Sequence, residues 1–101
     1  MHYRVKAKPI GARAAEFLRI LHDGTVARQR PDGEEIVASM RRAVLATDGF
    51  AYWTETCYCA TPLAHERETV YDRYFEAFDA APFDGELDVQ GRPLLEALAQ
   101  A

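Results

Sequence analysis

Apolar and polar residues alternate from Tyr3 to Ile10, with Tyr3, Val5 and Ala7 on one side and Arg4, Lys6 and Lys8 on the other. A repeat of two with one charged side predicts a half-buried strand. Pro9 and Gly11 end it. From Ala12 to Asp23 the spacing changes. Ala14, Phe17, Leu18 and Leu21 follow the i, i+3, i+4, i+7 rule and predict a helix with one apolar stripe. Gly24 supplies its stop. Thr25 to Arg30 is too polar to assign as more than a connection or a short edge strand. A second helix is predicted from Pro31, with Asp32 and Glu35 placed to cap its first turn and Ile36, Val37, Met40 and Val44 as its buried stripe.

Residues 43–46 read either as the end of that helix or as a short strand turning at Thr47-Asp48-Gly49. The Asp-Gly pair favours the hairpin. Phe50 to Ala60 is rich in aromatic and β-branched residues and predicts the main strand. Alternation puts Phe50, Tyr52, Thr54, Thr56 and Tyr58 on one face, and Ala51, Trp53, Glu55, Cys57 and Cys59 on the other. Thr61 and Pro62 are read as the cap and first residue of a third helix. Its stripe is Leu63, Val70, Tyr71, Tyr74, Phe75 and Phe78, and Ala80-Ala81-Pro82 breaks it. Glu86 to Gln90 is expected to form a last short strand, followed by a terminal helix through Leu94, Leu95 and Leu98.

This order predicts a single α+β domain over residues 1–101. The expected architecture is a two-layer sandwich, a ferredoxin-like βαββαβ variant with a split first helix and an extra C-terminal helix. Strict β/α alternation is the rival if residues 25–29 form a strand. Composition agrees with a globular chain: 49% hydrophobic and 28% charged residues among 101. No uncharged stretch approaches the ~18 residues of a spanning helix, so no membrane partner is expected. The first residues lack the apolar core and cleavage site of a secretory leader. A cytoplasmic location is therefore expected, with Cys57 and Cys59 as free thiols. Arginine outnumbers lysine ten to two, a pattern suggesting a bacterial source.

Net charge is −4 and the pI near 5.3. A nucleic-acid partner would rest on Arg28, Arg30, Arg41 and Arg42 with Arg4, Lys6 and Lys8, and on Tyr3, Tyr52 and Tyr58 for stacking. The acidic total reads against it. Glu68, Asp72, Glu76 and Asp79 are expected to share one solvated side of the third helix.

Candidate chemistry concentrates between Trp53 and Glu66. Trp53, Glu55, Cys57 and Cys59 share one strand face, and His65 and Glu66 follow in the first turn of the next helix. A ligand site here would use Trp53, Glu55, Cys57, Cys59 and His65. As an enzyme, the chain would offer Glu55, His65 and Glu66 for acid–base work. A zinc ion would take Cys57, Cys59 and His65, with Glu66 or Glu68 as fourth ligand. The C-x-C spacing departs from the usual C-x₂₋₄-C and no second Cys or His pair completes it, so no resident cofactor is expected and the thiols read as small buried groups. A disulfide between them is disfavoured, since positions i and i+2 of a strand lie roughly 6.5–7 Å apart. Glu55 in an apolar strand needs a partner, and Arg4, Lys6 or Lys8 across the sheet is the expected one. The functional expectation is a homodimeric domain that binds a small molecule or a protein partner. Its motive is that the uncovered sheet face would carry either Trp53 and the cysteines or several tyrosines.

Overall fold

A computed structural model describes residues 1–100. Strand β1 (His2–Pro9) pairs antiparallel with β3 (Ala51–Thr56) on one side and β4 (Phe75–Pro82) on the other. The short strands β2 (Val44–Leu45) and β5 (Arg92–Pro93) extend the sheet beyond β3, in the order β4-β1-β3-β2-β5. The helices are α1 (Ala14–His22), led in by a 3₁₀ turn, α2 (Gly33–Arg42), α3 and α4 (Leu94–Ala99). α3 covers residues 64–74 and has three parts: α-helical Ala64–Glu66, a π-turn Arg67–Tyr71 and α-helical Asp72–Tyr74. The chain is thus an α+β domain with an all-antiparallel five-stranded sheet. No helix among the described residues is long and apolar enough to cross a membrane.

Alternation decides the two faces. Tyr3, Val5, Ala7, Ala51, Trp53 and Glu55 point under the helices, where Phe17, Ile36, Met40, Tyr71 and Leu94 close the core. Trp53 sits in a cluster of rings, 5.3 Å from Tyr71 and 5.2 Å from Phe75 between centroids, spacings at which aromatic pairs attract. The uncovered face carries His2, Arg4, Lys6, Thr54, Thr56 and Asp79. Its aromatic surface comes from Phe50 and Tyr52, under the Lys6 ammonium at 4.5 and 5.9 Å. The tyrosine-rich open face expected as an interface is therefore not what this side presents. Tyr3 is buried and Tyr58 lies beyond the strand.

Three expectations need correction. The main strand ends at Thr56, not Ala60, although the Cys57 N–H still donates to the Met1 carbonyl at 2.9 Å. Residues 86–90 form no strand, and the last long strand is β4. The third helix stops at Tyr74, so Phe75, Glu76, Phe78 and Asp79 belong to β4 and the four acidic residues share no helix side. The cause is a bulge. Between Lys6 and Lys8 the register of β4 gains one residue, and Ala77 takes a φ of 51°. An inserted residue turns two neighbours in a strand to the same face. Phe75 and Phe78 thus both reach the core at a spacing of three, which imitates a helical repeat.

The loop of residues 24–30 crosses the start of α2 so closely that a Cβ on Gly33 would lie 2.1 Å from the Val26 carbonyl oxygen. Backbone cannot swing away as a side chain can. Gly33→Ala should destabilise the fold by about 2–3 kcal/mol. That lowers the thermal midpoint by on the order of 10 °C in a chain of this size. Gly11→Ala, with nothing within 4 Å of the added carbon, is the control for calorimetry and should leave the midpoint within about 4 °C of the parent.

Candidate functional site

β3 is paired with β2 only at Ala51 and Tyr52. Past that point its outer edge has no strand beside it, and α2 fills the gap with side chains. Arg42 donates to the Thr54 carbonyl at 2.7 Å, and Glu35 accepts the Thr56 N–H at 2.9 Å. The two are joined to each other at 3.1 Å. This ion pair replaces the missing backbone partner and fixes the first turn of α2 against the end of β3. Two cavities flank that seam and share Glu35 and Thr56. One, of about 350 Å³, is bordered by His2, Arg42 and Phe83. The other, of about 380 Å³, lies between α2, the Cys57–Cys59 segment and the start of α3.

The second cavity holds most of the residues singled out from the sequence. Cys57, Cys59, His65 and Glu66 line it together with Asp32, Glu35, Pro31, Thr56 and Tyr58. Cys57 is buried, Cys59 half-buried, and Tyr58 90% exposed at the rim. The Cys59 N–H donates to Cys57 Sγ at 3.2 Å, and Cys59 Sγ donates to Glu66 Oε1 at 3.4 Å. Burial, together with the thiol contact to Cys59, pushes the Cys57 thiol up to about 12. It is therefore no nucleophile at neutral pH, since reactive cysteines need a stabilised thiolate. His65 Nδ1 meets Asp32 Oδ2 at 2.5 Å, and that bond raises the imidazole pKa above its usual value.

Trp53 and Glu55 form a second centre, beneath the first. Glu55 is 1% exposed. The Trp53 indole N–H donates to its Oε1 at 2.8 Å and the Tyr71 hydroxyl at 2.5 Å, while Oε2 has no partner. The expected salt bridge to β1 is absent because Glu55 stands opposite Tyr3. Arg4 and Lys6 pair with Thr54 and Tyr52 and project from the other face. Burial without a counter-ion raises the Glu55 pKa to about 8, more than its two hydrogen bonds lower it, with Glu66 and Glu35 adding to the rise. Tyr71, fully enclosed and facing this carboxyl, is held well above the ordinary phenol range.

The structure thus splits the six residues into two layers. Trp53 and Glu55 bond each other inside, whereas Cys57, Cys59, His65 and Glu66 face one cavity. Three contributors were read otherwise from the sequence. Asp32 and Glu35 are the expected capping pair, but neither side chain caps α2, and both turn to the cavity and the edge of β3. Tyr71 reads as plain core. Only the i, i+3 spacing of Asp32 and Glu35 hinted that two carboxylates share one side of a first turn.

Raised in the fold, the Glu55 proton is bound more tightly by the folded than by the unfolded chain. Its contribution is complete below about pH 4.5 and is lost as pH climbs towards about 8. Denaturant titration should show stability falling across this window by on the order of 1 kcal/mol per pH unit relative to Glu55→Gln. Parallel curves for the two chains would remove the buried carboxyl from the account.

Comparison with protein-family models, curated proteins and solved structures finds no match to this chain, so its functional reading is built on the two layers of residues 53–66 and the walls around them.

Proposed function

We propose that the chain is a small-molecule-binding domain, and that its ligand is a compact amine seated in the 380 Å³ cavity. The observation that carries this reading is the lining. Asp32, Glu35 and Glu66 bring three carboxylates to one cavity against two basic groups, His65 in the wall on Asp32 and Arg42 reaching Glu35 from outside the lining. An excess of carboxylates over basic groups favours a positive head group, and Pro31, Thr56, the thiols and the Tyr58 ring offer apolar contact to its body. Pockets with apolar walls and a few converging polar groups are the common form of small-ligand sites. All of these residues come from one chain, so the reading needs no second copy. The ferredoxin-like plan belongs with it as a proposal. Its support is the β-α-β-β-α-β order of the chain, with α1 and α2 together in the place of the first helix and β5 and α4 as additions, and the strand order β4-β1-β3-β2.

Benzylamine and benzoate, equal in shape and opposite in charge, test the reading. Benzylamine should shift the amide signals of residues 56–59 and 65–66 in chelator-treated protein, and benzoate should leave them in place. The double variant Asp32→Asn, Glu35→Gln should weaken the amine response several-fold. Equal shifts from both compounds, or none from either, would overturn the assignment.

A further inference from the structure

Sulfur and oxygen donors meet at the inner wall of this cavity. Cys57 Sγ, Cys59 Sγ and a carboxylate oxygen of Glu66 all lie within 4.8 Å of one another. Glu66 is 1% exposed, and the bond it receives is the weak one from Cys59. Buried carboxylates are ordinarily paired with a cation or coordinate a metal. Asp32, His65 and Glu66 form a second set of donors within the same limit, so that Glu66 is shared between the thiols and the Asp32–His65 pair. Two sulfurs and an oxygen suit a borderline-soft divalent ion.

We infer that Cys57, Cys59 and Glu66 hold one divalent ion of the zinc class, with its fourth position open to the cavity. The inference rests on reading this cavity as a ligand site: the ammonium end of the ligand joins Asp32 and Glu35 beside their bonds to His65 and Arg42, and a lone-pair donor on the same molecule takes the open position. Three protein ligands and one free position are the arrangement of zinc sites that act on a bound molecule. The Cys59 N–H already points at Cys57 Sγ at 3.2 Å. On binding, each S–H proton passes to buffer as its S–metal bond forms. No electrons are exchanged and the ion stays divalent.

Cobalt(II) reports the sulfur ligands directly, because thiolate-to-cobalt charge transfer absorbs only when sulfur coordinates. Reduced, chelator-stripped protein titrated with Co²⁺ should develop this absorption to a plateau at one ion per chain, and Zn²⁺ should abolish it. Cys57 is buried and its replacement would also disturb the core, so the decisive variant is Cys59→Ser at the half-buried position. It should keep about half of the absorption and bind Co²⁺ roughly 10-fold or more weakly. No charge-transfer band at saturating Co²⁺, or one unchanged in Cys59→Ser, would sink the site. The two readings fail separately. Benzylamine binding without a cobalt signal removes the ion alone, and a full cobalt signal without benzylamine binding removes the amine alone.

Discussion

The antiparallel register that sets Tyr3 opposite Glu55 governs the rest of the molecule. Side chains on a strand alternate, so this pairing sends Arg4 and Lys6 to the uncovered face and Glu55 beneath the helices. A slip of one residue would exchange the two sets, burying lysine and exposing Trp53. With the register fixed, the carboxyl of Glu55 has no cation within reach. Only its Oε1 is bonded, by the Trp53 N–H and the Tyr71 O–H. Its raised pKa, the inward turn of Tyr71 and the acidic character of the adjoining cavity all follow from that separation of charge by face.

The same separation explains why α2 matters beyond its apolar stripe. β2 is too short to cover β3, so Thr54 and Thr56 would face solvent with unpaired backbone groups. The Arg42–Glu35 pair takes both. An exposed ion pair by itself contributes little. Here its value is positional, because each member also holds a backbone group of β3. Asp32, three residues before Glu35, is thereby carried to the side of His65, and the cavity between helix and strand acquires its carboxylates.

Much of this was legible in the chain. The period-two runs at Tyr3–Ala7 and Ala51–Glu55 and the stripes of Phe17, Leu21, Ile36 and Met40 identify the strands and helices, and Asp48-Gly49 marks the hairpin. What misled was a coincidence of period. The bulge at Ala77 gives Phe75 and Phe78 a helix-like spacing, and only pairing with β1, some seventy residues earlier in the chain, reveals the strand. The site was legible as a cluster but not as an arrangement. Which face of β3 is covered, whether Glu55 meets lysine or tryptophan, and where Asp32 points are decided by contacts between distant segments, and local pattern does not encode them.

Two irregularities of α3 fit the same frame. Its first turn lacks the expected Thr61 cap. Leu63 stands there instead, buried in the left-handed region with φ 56°. A bulky residue in that conformation persists only where its surroundings enforce it. Four residues later the π-turn begins, and the Asp72 N–H reaches the Arg67 carbonyl five residues back. In a regular α-helix, Glu66 and Tyr71 would be about 140° apart around the axis, and one of them would leave the interior. The extra residue in the turn lets both stay buried, Glu66 under the thiols and Tyr71 on Glu55. Such single-turn π segments recur at functional sites. In this chain, two departures from regular helix accompany two buried carboxylates, Glu55 on β3 and Glu66 on α3 itself.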